Sequence, residues 1–138
     1  MLLLYKNILS DDNEKPFLYY YLINEGKDVK IEKFTRKEFF SLILKAAWLI
    51  KKSGARKNDK ILHCFSRNDY VDCVFRHAST LTGTVPVTVN WQADTPDKVL
   101  FKYENSKVVS VLIGEGCNTE FVEIIRRNCP SAKFIYFD

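Results

Sequence analysis

The chain has 138 residues, 46% of them hydrophobic and 14% aromatic, a length that fits one domain and a composition too apolar for a disordered segment. Its 21 basic and 17 acidic side chains are interspersed and leave a net charge of +4, without the concentrated basic face of a nucleic-acid binder. No apolar run approaches the ~18 residues of a membrane span and the opening Met1-Leu2-Leu3-Leu4 is too short for a signal peptide, so the sequence reads as cytoplasmic with no membrane span.

The first segment, 1–34, reads as a hairpin region. Phe17 to Ile23 is rich in aromatic and branched residues, Asn24 to Asp28 supplies turn chemistry, and Val29 to Phe34 alternates apolar with polar. Thr35 with Glu38 three residues on is the pattern of a capping box, so a helix starts there. Its apolar positions Phe39, Leu42, Ile43, Ala46, Leu49 and Ile50 recur at helical steps until Lys51, Lys52 and Gly54, residues suited to a helix C-terminus. The basic cluster from Lys51 to Arg67 thus has a local role as a joint between two elements.

The rest, 35–138, alternates strand and helix. Strands are predicted over Lys60 to Phe65, Val85 to Val89, Val108 to Ile113 and Lys133 to Phe137. Between them run a helix opened by Ser66 and Asp69 and closed by Gly83, a second capped by Thr95 with Pro96 at its first position, and a third from Asn118 to Asn128. Strands separated by single helices imply a parallel, helix-flanked sheet of about four strands. The expected organisation is one α/β domain, 1–138, made of the hairpin region and the α/β unit. Ending straight after a strand, it looks like an incomplete part of a larger domain.

Few residues carry obvious chemistry. Gly114-Glu115-Gly116 sits between a strand and a helix, where a phosphate would bind, but it lacks a third glycine at Thr119 and puts a carboxylate between the two it has. A turn is the favoured reading. His63 and Cys64 are successive strand residues and point to opposite faces, so they cannot act on one atom. Cys73 and His77 lie one helical turn apart, but two ligands do not make a structural metal site. The four cysteines are widely spaced without a C-x-x-C pair and read as reduced thiols. No catalytic residue and no metal ligand is assigned. Open α/β sheets bind ligands beyond the carboxyl ends of their strands, which singles out Ser66-Arg67-Asn68, Asn90-Trp91-Gln92 and Gly114-Glu115-Gly116. Asn90, Trp91 and Gln92 are the best ligand-facing candidates, set against a purely structural turn.

From Phe34 onward the order of signals resembles the N-terminal region of the adenylate-forming ligases, the AMP-binding acyl-CoA synthetase family. The stretch 34–39 (FTRKEF) resembles the opening of that family's first long helix, and 53–62 (SGARKNDKIL) its Gly-(Val/Ala)-x-x-Gly-Asp-x-Val joint. The segment from Leu81 to Ile113 is similar to its Gly-x-x-x-Val-Pro-(Val/Leu)-Asn-Trp-Arg stretch, with the Pro-Glu, aromatic, Asp-Ser and apolar strand that come after it in the family. The matching positions are Gly83, Val85, Pro86, Val89, Asn90, Trp91, Pro96, Asp97, Tyr103, Asn105 and Ser106. The chain departs at Asn58, where the family has glycine, at Arg36 for tyrosine, and at Gln92 for arginine.

That resemblance implies a fragment or truncated relative of an ATP-dependent ligase that converts a carboxylate to an acyl-adenylate and then to a coenzyme A thioester. ATP, magnesium and coenzyme A are implied for the full-length family. The Ser/Thr/Gly-rich phosphate loop ending in Pro-Lys does not occur in these 138 residues, so none of these cofactors is expected to bind this chain alone and no ligase activity is expected of it. The expected partner is the rest of a ligase chain, or another copy meeting it through uncovered apolar surface. The alternative is a non-catalytic interaction or regulatory module derived from the same fold.

Overall fold

The computed structural model describes residues 14–23 and 29–137. Their elements are β1 (Pro16–Ile23), β2 (Val29–Thr35), α1 (Arg36–Lys52), β3 (Lys60–Cys64), α2 (Tyr70–Thr82), β4 (Val85–Thr88), α3 (Pro96–Asn105), β5 (Val108–Ile113), α4 (Thr119–Asn128) and β6 (Lys133–Tyr136). The chain divides into two compact units, Met1–Lys45 and Ala46–Asp138, with the division inside α1.

In the first unit, β1 and β2 pair antiparallel, with Tyr19 opposite Lys33, Tyr21 opposite Ile31 and Ile23 opposite Val29, and with a register irregularity between Pro16 and Leu18. The expected turn at 24–28 lies outside the described residues. The capping box forms as read: the Thr35 N–H and hydroxyl both donate to Glu38 Oε2, and the Glu38 N–H donates to Thr35 Oγ1 at 3.2 Å. Phe17 meets Phe39 with ring centroids 5.6 Å apart, and the Arg36 guanidinium lies over the Phe17 ring.

The second unit holds a four-stranded sheet in the order β4-β3-β5-β6, parallel at every pairing. Parallel strands are covered on both faces, which is why β3 reads as a nearly continuous apolar run. Leu62 and Cys64 point to one face, where they join Val111, Val99 from α3, and Phe121 and Ile125 from α4. Ile61, His63 and Leu112 are buried on the other, where His63 lies edge-on to Phe75 of α2 and Phe75 packs on Phe137.

The joint after α1 works by local geometry. Gly54 has φ +88, which a left-handed helix end requires, and Lys133 donates to the Ser53 carbonyl at 2.9 Å, placing a cation at the helix C-terminus. Asn58, at the position where the resembling family has glycine, has φ +71 and donates its N–H to the Gly83 carbonyl at 2.7 Å. Asparagine is one of the few side chains that enter this conformation readily, so the joint keeps its shape without the glycine.

Candidate functional site

Loops cluster beyond the carboxyl ends of β3, β4 and β5. The strand order turns about β3 and β5: the chain leaves β3 for β4 on one side and then crosses to β5 on the other. A ligand crevice is expected at such a switch point. Here the two loops that would border it are joined, since Ser66 Oγ donates to the Glu115 carbonyl at 3.0 Å and Arg67 pairs with Glu115 at 3.1 Å. The Gly114 N–H also donates to the Cys64 carbonyl at 2.8 Å.

One open space lies to the other side, between the β3 and β4 loops, and a second of about 320 Å³ lies beyond β5, lined by Gly114, Gly116 and Tyr136 among others. The first, a hollow of about 380 Å³, is lined by Arg67, Asn68, Asp72, Arg76 and the whole of Asn90, Trp91 and Gln92. The β4 loop is a built turn. The Asn90 side chain accepts from the Gln92 N–H, its carbonyl accepts from the N–H groups of Ala93 and Asp94, and the Asp94 carboxylate accepts from the Asn90 N–H and from Lys102. Burial pushes the Asp94 carboxyl up, but the bonds from Lys102 and Asn90 outweigh it and hold it below the usual range. Asn90 is thereby committed to the turn, whereas Trp91 presents a ring 40% exposed at the hollow.

The opposite wall carries a chain of polar contacts that reaches into the core. His63 Nδ1 lies 2.7 Å from Asp72 Oδ1, Arg76 Nε donates to Asp72 Oδ2 at 2.9 Å, and Arg76 also donates to Thr88 Oγ1 at 2.9 Å. A carboxylate only accepts, so His63 Nδ1 carries the proton when Asp72 is ionised. Burial pushes the Asp72 carboxyl up, yet the bonds from His63 and Arg76 prevail and its pKa lies below the usual carboxylate value. Arg76 is thus a cation fixed at two points beside the hollow. Sequence reading did not find this chain: the four-residue spacing of Asp72 and Arg76 signals their helix pair, but the partnership with strand residue His63 depends on how α2 docks.

Other sequence candidates separate. His63 and Cys64 face opposite sides of the sheet, as their adjacency requires. The neighbouring Cys117 thiol, together with burial, pushes the Cys64 pKa up, so Cys64 stays protonated. Among the described residues no three His, Cys, Asp or Glu side chains come together to hold a metal, so Cys73 and His77 gain no third ligand. Gly114 does not cradle a phosphate: a Cβ built there would lie 2.1 Å from Phe65 Cδ1, so the space is already filled by an aromatic ring. With Glu115 beside it, this loop does not fit the triphosphate of ATP. No helix among the described residues is long and apolar enough to cross a membrane.

No family model matches the chain, and no curated protein matches it in sequence. Solved structures do. The N-terminal domain of FACL13 from Mycobacterium tuberculosis matches with a TM-score of 0.67 at 18% identity, over 76% of this chain and 27% of that one. A benzoate CoA ligase from Burkholderia xenovorans matches with a TM-score of 0.63 at 16% identity, over 77% and 21%. O-succinylbenzoate coenzyme A synthetase (MenE) from Bacillus subtilis, solved with ATP and magnesium, matches with a TM-score of 0.62 at 21% identity, over 76% and 27%. The chain therefore spans about a quarter of the length of the structures it matches. At these identities the likeness is one of fold: about three quarters of the chain has the fold of part of an acyl- or aryl-CoA ligase.

Proposed function

We propose that this chain is the leading α/β segment of a carboxylate-activating CoA ligase, or a shortened relative of one, and that it has no ligase activity by itself. The observation that carries the reading is the likeness of about three quarters of the chain to the fold of such ligases, in agreement with the Gly83-to-Ser106 sequence pattern. Chemistry supports the expectation of no activity. Attack of a carboxylate on the α-phosphate needs a positioned polyphosphate with its charge stabilised, and at the one glycine pair near a strand end Phe65 fills the space beside Gly114 while Glu115 sets a carboxylate between the two glycines. Four free thiols agree with action in a reducing, cytoplasmic setting. Fatty-acid metabolism is the area to which the neighbouring folds direct a search for substrates.

Pyrophosphate release by the purified chain, with ATP, magnesium and a panel of aliphatic and aromatic carboxylates, is expected to equal the blank. Release dependent on both ATP and a carboxylate overturns the claim of inactivity. In the coding frame beyond Asp138, a Ser/Thr/Gly-rich loop ending in Pro-Lys marks a fragment, and its absence marks a natural short relative. We assign ligand contact in the longer protein to the Asn90-Trp91-Gln92 turn, made chiefly by Trp91, with Asn90 holding the turn. Trp91→Ala in that protein is expected to weaken affinity for substrate or coenzyme A while leaving the melting temperature nearly unchanged; lost stability at unchanged affinity returns the ring to packing. A second reading, a non-catalytic interaction module, is favoured by the open apolar face of the hairpin.

A further inference from the structure

We propose that the open face of the β1–β2 hairpin is a self-association surface on which a second copy of this chain packs face to face. Side chains directly opposite in an antiparallel pair share a face, so Tyr19 with Lys33, Tyr21 with Ile31, and Ile23 with Val29 form three consecutive rungs on one side. Tyr21 is 58% exposed, Ile23 75% and Val29 53%, with Tyr19 and Ile31 close behind. The alternate residues of β1 on the reverse side, Leu18, Tyr20 and Leu22, are half-buried. Exposed apolar residues scattered singly need no explanation, but five contiguous on one pleated face do.

The occupant follows from charge, shape and area. Lys33 is the one charged side chain on these rungs, and its ammonium lies 5.8 Å from the centre of the Tyr19 ring in its own hairpin. A two-fold axis running across the strands at the Tyr21–Ile31 rung sets the Tyr19–Lys33 end of one copy over the Ile23–Val29 end of the other. The two lysines then lie at opposite ends, while aromatic and branched side chains meet between them. Identical sheets share the same twist and stack in alignment, within about 30° of each other. The self-complementary patch is what a two-fold interface requires. The five residues leave open roughly 600 Å² per copy, so a pair buries at most about 1,200 Å², the lower limit of what specific interfaces bury. The dimer is accordingly weak and concentration-dependent.

Sedimentation velocity of the 138-residue chain tests this. As protein rises from about 1 to 100 µM, the boundary is expected to move from monomer to dimer and stop there. Tyr21→Glu and Ile31→Glu are each expected to weaken association about tenfold or more, since each buries a charge at the two-fold axis. Leu44→Glu, at an exposed apolar position of α1, is expected to leave association unchanged. If a Glu variant loses its circular-dichroism signal, Ile31→Thr decides instead, because threonine keeps strand preference while removing apolar area, and about threefold weakening or more is expected. A monomer throughout, a dimer that survives the hairpin substitutions, or loss of the dimer in Leu44→Glu overturns the proposal. So does open-ended growth, which marks pairing of strand edges rather than faces.

Discussion

A methyl group on Gly114 would lie 2.1 Å from Phe65 Cδ1, closer than packed atoms approach, so this position is reserved by the ring. Gly114→Ala is expected to lower stability by about 1–3 kcal/mol through overpacking. Urea unfolding of Gly114→Ala, Phe65→Leu and the double variant checks the cause: the double variant should recover part of the loss, whereas strictly additive costs separate the glycine from the ring. Asp72 gives a pH prediction. Its folded pKa is depressed, so its contribution is fully present above the unfolded carboxylate value near 4 and is lost as pH falls through the folded one. The side chain is 24% exposed and takes two charge-assisted bonds, so Asp72→Asn is expected to cost about 1–3 kcal/mol at pH 7. The two proteins should begin to converge in stability as pH falls below about 4 and meet only below the lower folded value, where the wild type has also lost the ionised carboxylate. A gap that stays constant from pH 7 to pH 3 would sink this account.

The elements were largely legible because their ends are signalled by local chemistry. Asp69, Thr95 and Asn118 stand at helix starts, and each side chain accepts a backbone N–H of the first turn, while Gly83 at φ +73 ends α2. Such contacts span two to four residues and depend on nothing distant. The cap at Asp69 can be tested alone, since it accepts the Val71 N–H at 2.8 Å. Asp69→Ala is expected to cost about 1 kcal/mol, and Asp69→Asn, which keeps an acceptor oxygen, only a fraction of that. Thermal or urea unfolding reads both; an Asn variant as unstable as the Ala variant would mean that charge, not the accepted bond, is what Asp69 supplies. The candidate site was legible only where an element's end defined it. Asn90, Trp91 and Gln92 could be placed at the hollow because β4 had to end before the Thr95 cap. Asp72 and Arg76 could not, because their strand partner His63 is chosen by the docking of α2, and that choice leaves no periodic mark in the sequence.

At the scale of the molecule, the order β4-β3-β5-β6 was likewise beyond the sequence, since four similar apolar strands can be arranged around their helices in several ways. The order has a thermodynamic consequence that the bare set of strands does not. β3 and β5 are central, paired on both sides and covered on both faces, whereas β1 and β2 make a two-stranded sheet with one open face. A two-stranded sheet is marginal by itself in water, and local opening follows the amount of apolar burial that resists it. Amide hydrogen exchange is therefore expected to show slow, globally limited exchange in Ile61 to Cys64 and Ser110 to Leu112, and much faster exchange in Tyr19 to Leu22 and Lys30 to Lys33. The contrast should depend on concentration. At dilutions where the monomer prevails the hairpin should be at its least protected, and protection there alone should rise as dimer forms, because binding to the folded hairpin adds its free energy to the cost of opening. Hairpin amides as slow as those of β3 in dilute protein would mean that the first unit has a stabilising layer beyond the contacts described. Protection that rises equally in both units on concentration would place the contact between copies away from the hairpin.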